Sequence, residues 1–192
     1  MDADNNPEDE SAGKRKLPFT RELYIERSDF IEYPPKKFFR LGPGREVRLK
    51  HAYYITCNDL IKSENGDVTE IHCTYDPATK GGWSDDGRKV RGTLHWVSVQ
   101  HALDAEVRLY DHLFNVENLE AEGDDFIQHL NPDSLIINTQ AKLEPGLQKA
   151  KANTNYQFLR NGYFCLDADS AQGNIVFNRT VGLRDSWGKS RK

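Results

Sequence analysis

Cysteine is scarce, methionine occurs once, and no long apolar run interrupts the 192 residues. Cys57, Cys73 and Cys165 are an odd set, widely separated, with neither a CxxC pair nor Cys/His ligand spacing. A disulfide framework and a structural zinc site are therefore not expected, and a reducing cytoplasm fits. No stretch approaches the ~20 apolar residues of a membrane span. No signal-type hydrophobic region follows Met1. Catalytic groupings are missing as well. His51, His72, His95, His101, His112 and His129 are scattered, and none shows the HExxH spacing that puts two imidazoles on one helical face. Gly42-Pro43-Gly44 lacks the lysine and the strand–loop–helix setting of a phosphate loop. Asp85-Asp86 and Asp124-Asp125 are adjacent carboxylates whose side chains point apart, and no serine sits in a nucleophile elbow. No catalytic residue, cofactor-binding residue or metal ligand is nominated.

What is present is a local excess of positive charge. The chain carries 26 Lys and Arg against 30 Asp and Glu, a net charge of −4. Yet KKFFRLGPGREVRLK, from Lys36 to Lys50, holds Lys36, Lys37, Arg40, Arg45, Arg48 and Lys50 against Glu46 alone. Phe38 and Phe39 lie among these charges. Cations beside flat apolar rings suit a phosphate backbone and unstacked bases. The strip is a candidate RNA-binding surface; the alternative is a solvated strand face over buried phenylalanines.

The patterning is that of strands. Mean hydropathy is −0.76, while eight Tyr, nine Phe and three Trp supply efficient core filler. Residues 1–16 are polar and predict a disordered lead-in. From Glu46, alternation puts Val47, Leu49, His51, Tyr53, Ile55 and Cys57 on one face and Arg48 on the other. Asn65-Gly66 predicts a tight hairpin whose return strand, 68–75, turns Ile71, Cys73 and Tyr75 inward. Asn161-Gly162 predicts a second hairpin. Strands are also expected over 21–25, 93–99, 105–110, 134–138 and 175–181, with a short helix over 124–130. Tyr156, Phe158, Tyr163, Phe164, Trp96 and Trp187 are expected to pack internally. Many short strands at this spacing indicate an all-β chain of one or two small barrels with a few short helices.

The strings TRELYIERSDF, GREVRLKHAYYI, RGTLHWVSVQHAL, VRLYDHLF, NYQFLRNGYFCLD and FNRTVGLRDSW resemble the carboxy-terminal anticodon-binding region of glutaminyl-tRNA synthetases, class I aminoacyl-tRNA synthetases. The resemblance runs from about Asn5 to Trp187. Eukaryotic-type glutamyl-tRNA synthetases share the architecture and are one alternative; a non-catalytic β-barrel protein-interaction module is another. The resemblance implies two tandem β-barrels. A proximal one takes 17–33 and 116–192 and is incomplete at its amino-terminal side; a distal one takes 34–115. It also implies a fragment of a larger ligase, inactive alone. The upstream catalytic domain of the same chain uses ATP and Mg²⁺ to join glutamine to its tRNA. The expected partner is the anticodon loop of tRNA, with a monomeric, cytoplasmic protein and no membrane.

On the matching positions, the resemblance implies that Arg48 reads the first anticodon base, a cytosine or uridine. Gln157 contacts the central uridine, Arg40 and Arg160 lie near the third base, a guanosine, and Lys36 and Lys37 hold phosphates. Arginine suits base reading because its planar fork of donors is weakly hydrated, and glutamine pairs a donor with an acceptor. Phe39 and Leu159 depart from the family, which often has lysine and an acidic residue there. From spacing alone, Gln157 and Arg160 would point to opposite faces of a strand, so their convergence needs a bend.

Overall fold

The computed structural model of the chain describes residues 1–121, 125–171 and 173–183. Two compact units divide the chain, Met1–Ala102 and Leu103–Lys192.

The first unit opens with a hairpin of β1 (Asp2–Asp4) and β2 (Lys14–Lys16). The hairpin falls within 1–16, where the sequence predicts a disordered lead-in. The segment is polar, so composition predicts no order, but its few apolar residues reach the core. Ala3, 1% exposed, packs with Leu17 into the first unit's core. Main-chain pairing then extends the hairpin, with Lys16–Asp2 (2.6 Å) and Lys14–Asp4 (3.5 Å) ion pairs across it. Exposed pairs of this kind contribute little, so the buried alanine matters more.

The unit continues through β3 (Leu23–Ile25), β4 (Glu46–Leu49), β5 (Tyr54–Lys62), β6 (Val68–Asp76), β7 (Thr93–Leu94) and β8 (Trp96–Ser98). The main sheet runs β6-β5-β4-β7, antiparallel except for the parallel β4–β7 pair, and β3 pairs with β8. Alternation on β4 buries Val47 and Leu49 and leaves Glu46 and Arg48 partly exposed, as the sequence predicts. The continuous strand expected beyond Leu49 is instead two strands joined by a tight turn. His51 adopts φ 62, and the Leu49 N–H donates to the Tyr53 carbonyl at 2.8 Å. The Asn65-Gly66 hairpin forms as expected, with Gly66 at φ 85. On β6, however, Tyr75 is an exposed residue that stacks edge-on against Tyr53 at 5.1 Å. Trp96 is buried as expected, its indole N–H donating to the Lys50 carbonyl at 2.9 Å.

The second unit comprises β9 (Leu103–Tyr110), β10 (Leu135–Leu143), β11 (Asn155–Phe158), β12 (Gly162–Leu166) and β13 (Ile175–Val181). They form one sheet, β10-β9-β13-β12-β11, in which β13 runs parallel to β9 and antiparallel to β12. Ala105, Val107, Leu143, Phe164 and Phe177 make its core, with Phe158 stacked on Phe164 at 4.3 Å. Tyr163, expected inside, is 41% exposed. Phe126–His129 forms a 3-10 turn in place of the expected short helix; Asp124 and Trp187 lie outside the described residues.

The all-β class holds. The ladders among the described residues are open sheets in place of the two small barrels that the resemblance implies. Residues 77–92 form a loop with one short 3-10 turn, so no ladder joins β6 to β7. Within 17–33, β3 pairs with β8 in the first unit, whereas β9, expected with 34–115, is hydrogen-bonded on both sides within the second sheet.

Candidate nucleic-acid interface

In the first unit the basic strip surrounds an open pocket of about 180 Å³, lined by Phe38, Phe39, Arg40, Arg45, Glu46 and Arg91, among others. Lys36 and Lys37 sit exposed on the turn leading into it. Phe39 is 48% exposed, and the Arg91 guanidinium lies over its ring at 5.1 Å, a cation–π contact. Arg45 is spent on structure, donating to the carbonyls of Phe38 and Pro34. Gly92 closes the back of the pocket. A Cβ there would stand 2.4 Å from the Phe39 carbonyl oxygen, so only glycine lets the two backbones approach.

Arg40 is half-exposed and ion-paired with Asp29, whose side chain is fully buried. The pair orients the arginine and also neutralises a carboxylate that water cannot reach. Removing one partner of such a pair leaves an uncompensated charge. Because Arg40 reaches solvent, the usual cost is reduced. Arg40→Ala is expected to lose about 1–3 kcal/mol of stability as well as any base contact. Arg40→Lys should recover most of the stability and none of the planar base recognition. Urea melts run beside RNA binding on both variants check this.

Arg48 lies on β4 between Tyr54 of β5 and Thr93 of β7. Its Nη1 donates to the Gly82 carbonyl at 3.3 Å, and its Cζ sits 5.2 Å from the Trp83 ring centroid. Nε is buried and donates to nothing among the described residues. Nη1 is therefore the one side-chain nitrogen of Arg48 with a hydrogen-bond partner among the described residues. Gly82, at φ 86, makes the close approach possible, since a Cβ there would meet Arg48 Cδ at 2.9 Å. Trp83 itself is 74% exposed. Sequence reasoning passed it over; an indole in a loop of Gly, Ser and Asp was the available signal.

Arg88 clasps that loop to the sheet. Its Nε and Nη2 reach Glu46 at 3.0 and 3.1 Å, its guanidinium also pairs with Asp76 and Asp86, and it lies over the Tyr54 ring at 5.2 Å. Arg88 is therefore not a free phosphate ligand. The Ser84 hydroxyl and the Arg88 N–H and guanidinium hold the Asp86 carboxyl down to about 2, against an ordinary 3.8. Arg88 likewise lowers Asp76. Depressed carboxylates stabilise fully above the unfolded value and lose that contribution as pH falls through the folded one. The clasp is expected to be intact above pH 3.8 and to release as pH drops toward about 2. Hydrogen exchange over 84–88 should accelerate in that window before exchange in β4 and β5 does.

In the second unit, Gln157 and Arg160 are exposed at the end of the β11–β12 hairpin. Phe158 pairs with Gly162, so the turn is Leu159-Arg160-Asn161, with the Asn161 N–H donating to the Phe158 carbonyl at 2.9 Å. Positive φ falls on Arg160 (66) rather than Asn161. Arg160 thus lies in the turn and not on the strand, so strand alternation does not set its direction. Gln157 lies opposite exposed Tyr163, and Phe158 turns into the core.

Two family models match the chain, both described as the anti-codon binding domain of tRNA synthetases class I (E and Q); one covers 1–76 and the other 93–167. The glutamine–tRNA ligase of Nitrobacter winogradskyi is 55% identical over 189 residues, 98% of this chain and 34% of that protein. That of Rhodopirellula baltica is 55% identical over 191 residues, 98% and 32% of the two chains. That of Clostridium perfringens is 53% identical over 188 residues, 97% and 34%. The chain spans about a third of the length of these curated relatives. The chain belongs to the anticodon-binding domain family of the class I (E and Q) tRNA synthetases.

Proposed function

We propose that this chain recognises the anticodon loop of a tRNA on behalf of a glutamine–tRNA ligase whose chemistry resides elsewhere in the parent protein. The observation that supports this most is Arg48. It is a guanidinium oriented by one hydrogen bond, on a strand inside the family-matched segment 1–76 and beside an exposed indole. Arg48 reads the first anticodon base. Arg40 contacts the third base from the first unit, and Lys36 and Lys37 hold phosphates. From the second unit, Gln157 contacts the central uridine and Arg160 the third base. The parent enzyme joins glutamine to tRNA with ATP and Mg²⁺ through an upstream catalytic domain, as a cytoplasmic monomer. The described residues do not fit either group: no cluster of three His, Cys, Asp or Glu converges as a metal cage, and Gly42-Pro43-Gly44 lacks a phosphate-loop lysine.

Filter binding of tRNAs with altered anticodons, at two salt concentrations, tests this. A glutamine anticodon should bind more tightly than its variants. Lys37→Ala should weaken all RNAs alike and reduce the salt slope by roughly 0.7–0.9. Equal affinity for every anticodon would overturn the proposal. One observation favours a second role in protein docking: Leu135, Ile136 and Ile137 are exposed on β10, an edge strand. Such docking would survive excess tRNA, whereas anticodon binding would not.

A further inference from the structure

We propose that Trp83 is a base-stacking platform: its open indole face receives one unpaired base of the RNA loop while Arg48 braces the opposite face. The inference rests on the anticodon-binding proposal and adds a residue to it, in a loop (77–92) that falls in neither family-matched segment. Three observations carry it. First, the indole is 74% exposed, although a tryptophan has more to gain from burial than any other side chain. With the Arg48 guanidinium centred 5.2 Å from the ring on one side, that exposure leaves the other face to solvent.

Second, the exposure is built in. Gly81 and Gly82 adopt φ 89 and 86, which carries the backbone over Arg48 and turns the next side chain outward. Gly82 fixes Arg48 by accepting from Nη1, and the Arg88 clasp to Glu46, Asp76 and Asp86 holds the far end of the loop. A braced ring needs little further ordering when a base arrives, which is what makes stacking on it favourable. Third, the neighbouring donors suit a base and not an apolar partner. Arg48 spends one terminal nitrogen on the Gly82 carbonyl and its Nε is buried out of a ligand's reach, so it is the charge of the fork that an RNA loop meets beside the ring. The base that Arg48 reads is therefore a neighbour of the stacked one, because the guanidinium lies behind the indole. Stacking tolerates any base, so Trp83 supplies affinity while Arg48 supplies choice.

The test uses the 192-residue chain and an anticodon stem-loop RNA carrying a fluorescent adenine analogue at each loop position in turn. Wild type should quench the analogue strongly at one position. Trp83→Ala should abolish that quench and weaken binding roughly tenfold, with an unchanged salt slope. Trp83→Phe should keep most of both. Trp83→Leu retains apolar bulk over Arg48 but should lose the quench while still discriminating anticodons. If Trp83→Ala binds and quenches like wild type while Arg48→Ala does not bind, the platform is wrong and anticodon recognition stands. If wild type binds the stem-loop no better than a duplex of the same stem, both fall.

Discussion

Arg48→Ala is expected to weaken tRNA binding by about 1–3 kcal/mol, most of it as lost discrimination at the first anticodon base. The size follows from what the side chain has already spent. β4 fixes its backbone through the 2.9 Å bond from its N–H to the Gly92 carbonyl. Gly82 holds one terminal nitrogen and Trp83 one face of the fork. The guanidinium reaches the base pre-oriented, so little rotamer entropy is lost on binding. Arg48→Lys separates charge from geometry. The ammonium keeps the attraction to phosphate, and with it the salt slope, but cannot offer two parallel donors to a base edge. Affinity for a non-cognate anticodon should therefore barely change in Arg48→Lys, while cognate affinity falls toward it. Loss of equal size for cognate and non-cognate loops in both variants would refute the base-reading role.

Gly162→Ala is expected to destabilise the second unit by about 3 kcal/mol or more. Gly162 adopts φ 133, and a Cβ there would stand 2.3 Å from the Val181 carbonyl oxygen. That atom belongs to the backbone of β13, a strand hydrogen-bonded on both sides, so relief requires moving a ladder and not a rotamer. Gly66→Ala is the control: φ is also positive, at 85, but nothing lies within 4 Å of its Cβ position. It should cost about 1 kcal/mol from backbone strain alone. Chemical denaturation of both variants measures the difference. Because Gly162 is the first residue of β12, displacing it also moves the turn that presents Gln157 and Arg160. Binding at the central base should fall in parallel.

Where apolar residues alternate, the strands were legible: β13 falls where the sequence predicts it, and Asn65-Gly66 turns β5 into β6. The missed features were those in which tertiary contacts override local preference. Arg160 takes a left-handed conformation that its residue type does not advertise, beside an asparagine that would suit it better. The β1–β2 hairpin is tied to the core by Ala3, Met1 and Leu17, a set too sparse for a hydrophobicity pattern to reveal. The site was legible in part. Arg48 projects opposite Val47 and Leu49, as alternation requires. Its setting against Gly82 and Trp83 joins residues 34 positions apart, and no periodicity spans such a gap. Arg88 is the hub of three carboxylates, two of them distant in sequence or across the loop, which local charge patterning does not reveal.

The position of β13 has a consequence for synthesis on the ribosome. It lies between β9 and β12, yet it is the last of the five strands to be translated. Until it emerges, the nascent second unit can make only the β9–β10 and β11–β12 pairs. The slot between them holds two unsatisfied edges, and Phe177 is missing from the core. Such late, long-range closure is slow and exposes unpaired edges to neighbouring chains. The hairpin with Gln157 and Arg160 is thus locked in place only when its final partner arrives.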